Sequence, residues 1–438
     1  MSNQASSVWP RVSFAKIARK LVNGGTPPTE VEAFWNGKTP WITGADFTPT
    51  GISEFRRFVS DAAIAQTSTN VIECGQLLLV TRTGVGKLAI APCDIAISQD
   101  ITGVYVDEEK ADTHFLFHRM RQGVEDLKKL NQGTSINGII RSDLVAYPLE
   151  LPPLPAQRRI AEILSTVGEA IEQTEALIAK YQQIKAGLMH DLFTRGLTPD
   201  GHLRPTREQA PHLYRESPLG WIPKEWEVSN LRDKSSPVRP HIKTGPFGSS
   251  LKGEHWVENG RPVITIGALG EGELLTEGLL FVSEATAHRL REYQLQPGDV
   301  VFSRVADVGR SAVICEEHDG WIMSSNLMRI SLNQNLIVPG YLQAQFAFDY
   351  RVKAQIRAKV NSGGRDVANG QILNQVQFAW PRQEEQDVAL KRIRTLGANR
   401  RSVTDQRTKL LKLKHGLMHD LLTGRVRVKV GEPVGGTV

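Results

Sequence analysis

The sequence predicts an α+β protein in which two similar α+β domains are separated by two long helices that pair as an antiparallel coiled coil. Two observations support this prediction. The segment KAGLMHDLFTRG at 185–196 returns as KHGLMHDLLTGR at 414–425, so the chain contains a repeat. In each half, short β-rich runs such as QLLLVTR precede helical stretches without regular βαβ alternation, which is typical of the α+β class.

The repeat is domain-sized. With an offset of 229 positions, residues 157–194 align with 386–423 without a gap and with twelve identities in 38 places. Upstream the match is weaker and the offset is smaller: GQLLLVTRTGVGK at 75–87 matches GDVVFSRVADVGR at 298–310. Since a solenoid repeats every 20 to 50 residues, this pattern indicates the duplication of a whole domain with its helix.

The duplication predicts six segments in a chain of 438 residues. The connector between the copies is rich in proline and glycine, which is typical of a linker. In chain order we predict a first α+β domain at 1–152, a first spacer helix at 153–196, a linker at 197–225, a second α+β domain at 226–380, a second spacer helix at 381–424 and a C-terminal tail at 425–438.

Heptad spacing predicts how the two long helices pack. Mainly apolar residues recur every seven positions from Ile160 in the first helix and from Ala389 in the second, as in a coiled-coil seam. A second stripe is expected three residues further on, from Ile163 and from Arg392. At about 1.5 Å per residue each helix would be roughly 55 to 60 Å long. Glutamates at the start of the first helix and lysines near the end of the second favour antiparallel pairing. The residues expected to pack the helices together are Ile160, Val167, Leu177, Tyr181, Leu188, Leu396, Val403, Leu410 and Leu417.

Composition favours a reducing compartment and an anionic partner. The chain has 53 Lys and Arg against 47 Asp and Glu, a formal net charge of +6, and nucleic acid is the commonest anionic partner. Its three cysteines form no CxxC pair, so neither a disulfide framework nor a zinc knuckle is expected. No apolar run approaches the ~18 residues of a membrane span, and no signal peptide opens the chain. We therefore expect a cytoplasmic protein without a membrane partner.

The motifs of common enzymes are incomplete in this sequence. GVGK at 84–87 matches only the end of a phosphate-binding loop, because Thr81 and Leu88 stand where that loop needs Gly and Ser or Thr. No GxGxxG follows a strand, and the Asn/Asp-Pro-Pro-Tyr/Phe tetrapeptide of adenine-methylating enzymes is missing. The pairs His190-Asp191 and His419-Asp420 lie at helix ends, where capping or packing is the expected role. The sequence therefore predicts no catalysis and no metal site.

Two diverged domains, each followed by a better-matched helix ending in GLMHDLFTRG or GLMHDLLTGR, resemble the specificity subunit of a type I restriction-modification system. The resemblance spans nearly the whole chain. The sequence differs from the family's pattern at the start of the second helix, where PRQEEQDVALKRI replaces a PPLxEQ-like start. Four further fragments carry it: GGTPPTEVEAFWNGKTPWITGADF at 24–47, LPPLPAQRRIAEIL at 151–164, PLGWIPKEWEV at 218–228 and GPFGSSLKGEHWVENGRPVITIGAL at 245–269.

The resemblance implies a non-catalytic subunit that recognises double-stranded DNA. Each domain would be a target recognition domain that reads one half of a bipartite, asymmetric site. The paired helices would set the unread spacer and dock two methyltransferase subunits. This chain would bind no cofactor, while those partners would carry S-adenosylmethionine and methylate adenine. Two restriction subunits with ATP-dependent translocase and nuclease activity would join where a system has them.

Within each domain, polar loop residues beside the strands are the expected DNA contacts. Arg and Lys hydrogen-bond guanine, Asn and Gln hydrogen-bond adenine, and glycine lets the backbone approach phosphate. Ordinary turn chemistry is the competing interpretation for each of these residues. The expected contacts are Lys38, Thr39, Arg82, Thr83, Lys87, Gln99, Thr134, Ser135 and Asn137 in the first domain, and Lys243, Ser249, Ser250, Lys252, Arg304, Arg310, Asn326, Arg365 and Asn369 in the second.

The net charge lies outside these loops. Segment 382–429 holds thirteen Lys and Arg against five Asp and Glu, a charge of +8, so the rest of the chain carries −2. The equivalent segment 155–196 has five of each sign and is neutral. The basic second helix is thus expected to face its acidic counterpart, the phosphates of the DNA spacer or a methyltransferase subunit. Arg400, Arg401 and Arg407 are the residues that test this.

Two other functions make different predictions for this chain. A duplicated scaffold whose coiled coil binds only protein, without DNA specificity, predicts no DNA binding even with methyltransferase subunits present. An enzyme with an unrecognised site predicts methylation or other turnover by the isolated chain.

Overall fold

A computed structural model describes residues 9–48, 51–52, 54–129, 138–247, 250–270, 272–361 and 367–430. The chain divides into two compact units. The first unit comprises the residues up to 176 together with those from 404 onward, and the second comprises residues 177–403. Both units mix helices with sheets, which confirms the predicted α+β class.

Among its described residues, the first unit contains ten short strands and four short α-helices, followed by the start of a long helix. Strand β6 has the sequence LLLV and is buried along its whole length, as a central strand requires. The elements are β1 (Arg11–Ser13), β2 (Ala18–Asn23), β3 (Thr39–Ile42), β4 (Phe58–Val59), α1 (Asp61–Gln66), β5 (Asn70–Ile72), β6 (Leu77–Val80), β7 (Leu88–Ile90), β8 (Ile95–Ile97), β9 (Ile101–Val106), α2 (Thr113–Gln122), α3 (Val124–Lys129), α4 (Arg141–Ala146), β10 (Pro148–Glu150) and the long helix α5 (Leu154–Thr194), which ends in the second unit.

The second unit is built in the same way after a small hairpin that occupies the linker. The elements are β11 (Tyr214–Ser217), β12 (Gly220–Pro223), β13 (Glu227–Ser229), β14 (Ile242–Thr244), β15 (Trp256–Val257), β16 (Arg261–Ile264), β17 (Leu280–Val282), α6 (Glu284–Arg289), β18 (Val300–Ser303), β19 (Ser311–Val313), β20 (Ile322–Met323), β21 (Leu327–Ile330), α7 (Pro339–Phe348), α8 (Tyr350–Asn361), α9 (Gly370–Asn374), β22 (Phe378–Trp380) and the long helix α10 (Gln383–Leu422), which ends in the first unit.

The sheets of the two units share most of their topology and differ in one outer strand of a four-stranded sheet, where β5 pairs with β8 in the first unit and β15 pairs with β17 in the second. The order β2-β9-β6-β7 in the first unit corresponds to β14-β21-β18-β19 in the second. In the other four-stranded sheet of each unit, the parallel pair β3·β8 corresponds to the parallel pair β16·β20. The ribbon β1·β10 likewise corresponds to β13·β22. The duplication seen in the sequence is therefore a duplication of the fold.

A buried glutamine attaches each long helix to its domain. Gln157 is fully buried, and its side-chain amide donates to the carbonyls of Pro152, at 2.8 Å, and Lys110, at 3.1 Å. Its side-chain oxygen accepts from the N–H of Asp112, the N-cap of α2, at 2.9 Å. Since every polar group of this amide is paired, the start of α5 is fixed to the start of α2.

Gln386, which is 229 positions further on, makes the same three hydrogen bonds in the second unit. It is also fully buried, and its amide donates to Pro381 O at 2.9 Å and to Leu336 O at 3.2 Å. Its oxygen accepts from the N–H of Val338, the N-cap of α7, at 2.9 Å. The attachment of helix to domain is therefore the same in both units.

Within each unit the two long helices pack antiparallel. In the first unit Leu164 of α5 shares a core with Leu421 of α10, and in the second Leu192 of α5 shares a core with Ala389 of α10. Of the predicted packing residues, Ile160 is fully buried in the core that contains Leu421 of α10. The other predicted packing residues that are half-buried are Val167, Tyr181, Leu188, Leu396, Val403, Leu410 and Leu417.

The prediction for the second stripe is wrong by one residue. Leu177, which was expected to pack between the helices, is 41% exposed, and Ile184 on the same stripe is 45% exposed. The buried stripe lies four residues after the first, not three. Both stripes of α5 are mainly apolar in sequence, so the heptad pattern alone did not distinguish them. The observed second stripe is Leu164, Ile171, Ile178, Lys185 and Leu192 in α5, and Ile393, Arg400, Arg407, Lys414 and Leu421 in α10.

This shift places basic residues of α10 in the helix packing of the first unit. Arg407 donates from Nη2 and Nε to Oε1 of Glu175 at 2.6 and 2.7 Å. Lys414 is half-buried, and its Nζ lies 3.3 Å from the position that a Cβ on Gly168 would occupy. Part of the basic charge of α10 therefore faces the acidic helix, as one of the three interpretations expected.

We predict that Leu164→Ala lowers the free energy of unfolding by roughly 2 to 5 kcal/mol, because Leu164 is fully buried and its removal leaves a cavity. The matched control Leu177→Ala should change it by about 0.5 kcal/mol or less, since this leucine is 41% exposed. Urea unfolding of both variants, followed by circular dichroism, measures the difference. An equal loss of free energy of unfolding in the two variants would show that Leu164 is not on the buried stripe.

We also predict an acid-sensitive contact between α2 and α5. Burial, followed by the positive charges of Lys414 and Arg121, lowers the pKa of His118 from 6.5 to about 3. In the unfolded chain His118 is therefore protonated below pH ~6.5, whereas in the folded chain it stays neutral down to about pH 3. The free energy of unfolding should fall as the pH drops through this window, by up to ~1.4 kcal/mol per pH unit.

The variant His118→Gln should lose that part of the pH dependence, whereas His202→Gln, whose side chain is 82% exposed, should keep it. Urea unfolding at a series of pH values gives the slope for each chain. The same slope in His118→Gln as in the unchanged protein would contradict a neutral, buried imidazole.

Candidate nucleic-acid interface

Four segments of the first unit are joined by backbone hydrogen bonds beside the ends of the strands. Thr81, after β6, donates to Asp100 O at 2.8 Å and accepts from Ile139 N at 2.7 Å, while Gly24, after β2, donates to Ile101 O at 3.3 Å. These bonds bring the β6–β7 loop, the β8–β9 turn and the segments after β2 and before α4 together. We define the first loop cluster as residues 24–26, 81–87, 98–100 and 138–140.

The second unit joins the equivalent segments by equivalent bonds. Arg304, after β18, donates from its backbone N–H to Asn326 O at 3.1 Å and accepts from Ala368 N at 2.8 Å. Gly245, after β14, donates to Leu327 O at 3.0 Å. We define the second loop cluster as residues 245–247, 304–310, 324–326 and 367–369.

One glycine in each cluster permits this close approach. A Cβ on Gly24 would lie 2.0 Å from the carbonyl oxygen of Ile97, and a Cβ on Gly245 would lie 2.0 Å from that of Ser324. No other residue fits where two backbones come this close. The packing of the segments into a cluster thus depends on these two positions.

Four predicted contacts of the first domain, Arg82, Thr83, Lys87 and Gln99, lie in the first loop cluster. Arg82, Thr83 and Gln99 are exposed, and Gln99 accepts a hydrogen bond from the hydroxyl of Thr26. Arg82 and Gln99 line a cavity of about 300 Å³. The predicted contacts Thr134, Ser135 and Asn137 lie outside the described residues.

The other predicted contacts of the first domain are placed differently. Lys38 and Thr39 lie at the start of β3, whereas the cluster adjoins the opposite end of that strand, where Ile42 O accepts from Ser98 N. Lys87 belongs to the cluster, but its Nζ donates to Gly44 O at 2.8 Å, so it also shapes the loop after β3.

In the second domain Arg304, Arg310, Asn326 and Asn369 lie in the second loop cluster. The Arg304 guanidinium is centred 5.3 Å from the ring of Phe247, and Asn326 is exposed. The side-chain oxygen of Asn369 accepts from Ile372 N at 2.9 Å, so this residue caps α9.

The remaining predictions for the second domain are engaged with neighbouring groups or lie nearby. Arg310, equivalent to Lys87, donates to Leu269 O and lies 3.6 Å from Asp307. The ammonium group of Lys243 pairs with Glu292 at 2.6 Å. Ser250 and Lys252 follow the cluster in the chain, and Ser249 and Arg365 lie outside the described residues.

Sequence reasoning missed Phe247 in the second loop cluster and two residues that line the cavity beside the first. Asn23 and Arg141 line the cavity beside Arg82, and Phe247 presents a ring that is 61% exposed. Phe247 could have been found as an aromatic residue between glycines in a polar loop. Asn23 and Arg141 enter the site through long-range backbone pairing, for which the sequence has no local signal.

The chemistry of the clusters is that of recognition. Exposed guanidinium and amide groups on rigid loops suit hydrogen bonding to base edges and phosphates. Across the described residues, no group of three or more His, Cys, Asp or Glu side chains is placed to hold a metal ion. Among the helices described, none is long and apolar enough to span a membrane.

Comparisons with known proteins agree with this chemistry. Residues 11–183 match the family model of the type I restriction modification DNA specificity domain. The specificity subunit of the type I restriction enzyme MjaVIII of Methanocaldococcus jannaschii is 22% identical over 414 residues, which cover 94% of this chain and 91% of that protein. The specificity subunit of EcoBI of Escherichia coli is 21% identical over 335 residues, 76% of this chain and 68% of that one.

The fold is shared as well. The crystal structure of the type I restriction-modification S subunit from M. genitalium superimposes with a TM-score of 0.59 at 14% identity, covering 96% of this chain and 98% of that one. The duplicated domains, the paired long helices, the matching domain model and the relatives over nearly full length agree with one another. The chain is similar over nearly its whole length to specificity subunits of type I restriction-modification systems, and residues 11–183 match the DNA specificity domain of these systems.

Proposed function

We propose that this chain is the non-catalytic DNA-recognition subunit of a type I restriction-modification complex. Each loop cluster reads one half of a bipartite site. The observation that carries the proposal is that both units build the same loop cluster with the same backbone hydrogen bonds. A recognition surface is thus present twice, once in each unit.

The two clusters present different side chains at equivalent places, so the site they read is asymmetric. By the shared backbone hydrogen bonds, Thr26, Thr81 and Gln99 of the first cluster correspond to Phe247, Arg304 and Ser325 of the second. Amides of Gln and Asn suit adenine and the guanidinium of Arg suits guanine in the major groove. Because the two clusters carry different side chains on the same backbone, they read different half-sites.

The paired helices α5 and α10 set the spacer between the half-sites. With 41 and 40 residues, each is about 60 Å long at ~1.5 Å per residue. Half-sites one DNA turn apart are separated by roughly 34 to 36 Å, which such helices are long enough to bridge. The attachments at Gln157 and Gln386 keep the helices from moving relative to the reading loops.

The chemistry belongs to partner subunits. Two methyltransferase subunits dock on the helices, bind S-adenosylmethionine and methylate adenine, and restriction subunits with ATP-dependent translocase and nuclease activity join where the system has them. This chain itself holds no cofactor, and it acts in the cytoplasm, where the DNA is. A protein-binding scaffold without DNA specificity is disfavoured, since the matching domain model is a DNA specificity domain.

Exchange of residues 1–150 for the corresponding domain of a relative should change one half of the methylated sequence and leave the other half and the spacer unchanged. Genome-wide mapping of N6-methyladenine in cells that contain the exchanged chain measures this. Exchange of residues 226–380 is the matched control and should change the opposite half. A change of both halves by either exchange would contradict independent reading.

A further inference from the structure

The cavity of about 300 Å³ beside the first loop cluster lies between the end of β2, the end of β6 and the start of α4. Among the described lining residues there is no carboxylate. Residues 130–137, which precede the lining residue Gly138 and lie outside the described part of the chain, have the uncharged sequence LNQGTSIN. The polar side chains of the described lining are those of Asn23, Thr81, Arg82, Gln99, Thr102 and Arg141.

Two buried threonines orient one of these side chains. Thr81 and Thr102 are each 6% exposed, and their hydroxyl oxygens lie 3.1 Å apart. The Thr102 hydroxyl donates to Oδ1 of Asn23 at 3.2 Å. Asn23 itself is exposed, and no group in the described part of the chain accepts from its Nδ2. Because its oxygen is engaged, this amide presents N–H donors to a ligand.

The other exposed side chains of the lining also present donors. Oε1 of Gln99 accepts from the Thr26 hydroxyl, which leaves Nε2 to donate. Arg82 and Arg141 are exposed, and within the described ranges neither guanidinium pairs with a carboxylate. Since a guanidinium has N–H donors and no acceptor, the exposed polar side chains described here all offer donors.

The charge around the cavity does not select phosphate. Asp100 and Asp143 lie close to Gln99 and Arg141 in the chain, outside the lining, so two carboxylates offset the two lining arginines in formal charge. Binding of the DNA backbone depends on positive charge, whereas reading of a base depends on the arrangement of donors and acceptors. The cavity is therefore better suited to a base edge.

The donor lining matches one base. In the major groove guanine presents two acceptors, N7 and O6, adenine one acceptor and one donor, thymine one acceptor beside a methyl group, and cytosine a donor. An amide reads adenine by donating to N7 and accepting from N6, but the oxygens of Asn23 and Gln99 already accept from threonine hydroxyls.

The orienting threonines belong to the first unit. By the shared backbone hydrogen bonds and strand register, Thr81 and Thr102 correspond to Arg304 and Met328 in the second unit. Methionine has no hydroxyl, so the equivalent bond cannot form there. A base read through this arrangement would lie in the half-site of the first unit.

We propose that this cavity reads a guanine of the first half-site, and that Asn23 is a specificity-determining residue which Thr102 holds in its reading orientation. The inference rests on the proposed function, because it takes the first loop cluster to lie against the DNA. Donors of Asn23 and of a lining arginine together satisfy N7 and O6.

The test uses the full chain with its methyltransferase subunits and maps N6-methyladenine genome-wide. Asn23→Asp keeps the side-chain size and the bond from Thr102 but replaces the donors by an acceptor. It should lower the preference for one guanine of the first half-site by about 5- to 150-fold, the discrimination of a bidentate contact, and leave the second half-site and the spacer unchanged. The matched control Asn36→Asp alters an exposed asparagine outside the lining and should change neither half-site.

A base analogue then identifies the contact. In duplexes of the mapped site, 7-deazaguanine replaces each guanine of the first half-site in turn, which removes the N7 acceptor and keeps the base pair. For one guanine the methylation rate of the unchanged complex should fall by roughly 2- to 12-fold, the share of one hydrogen bond of the two. The Asn23→Asp complex should show no further loss there, because the variant and the analogue remove the same contact.

An unchanged base preference in Asn23→Asp, an equal change in the control, or a first half-site without guanine on either strand would overturn the proposal. If Asn23→Asp does not methylate, Thr102→Val frees the amide oxygen and should let adenine replace that guanine; an unchanged preference there has the same consequence. Methylation that does not depend on this chain would overturn the proposed function itself. Exchange of residues 1–150 tests that function separately, since its outcome does not depend on which base the cavity reads.

Discussion

The architecture depends on one buried amide in each half. Gln157 and Gln386 are fully buried at the starts of the long helices and hydrogen-bond the N-cap segments of α2 and α7. Movement of a helix relative to its domain would leave a buried donor or acceptor unpaired, which costs about 1 to 3 kcal/mol for each group. The domain and the first turns of its helix therefore move as one body, as a spacer device requires.

After the duplication, the two halves kept the same backbone hydrogen bonds while their side chains diverged. The hydrogen bonds that join the loops are the same in both halves, down to the glycine that admits a second backbone at Gly24 and Gly245. At equivalent loop positions the first half carries Thr26, Thr81 and Gln99 where the second half carries Phe247, Arg304 and Ser325. A stable frame with variable loop residues is how one fold comes to read two sequences.

Much of this could be predicted from the sequence, because the repeated helix motif fixes both the duplication and the helices. The position of the second packing stripe could not be predicted. Ile163 and Leu164 are adjacent and apolar, and each begins a run of mainly apolar residues with heptad spacing, so only the tertiary packing decides which run is buried. Lys87 and Arg310 were expected to contact DNA, yet both also bond loop carbonyls. The loops of each cluster are held together by backbone hydrogen bonds between residues far apart in the chain, and such bonds have no local signal in the sequence.

The central claim is that the paired helices set the distance between the half-sites. Insertion of seven residues into α5 between Ala176 and Leu177, with a matching heptad in α10 between Val403 and Thr404, lengthens both helices by about 10.5 Å and preserves the packing stripes. Genome-wide mapping of methylated adenine should then show both half-sites unchanged, with a spacer longer by about three base pairs. An unchanged spacer in a folded, active complex would contradict the claim.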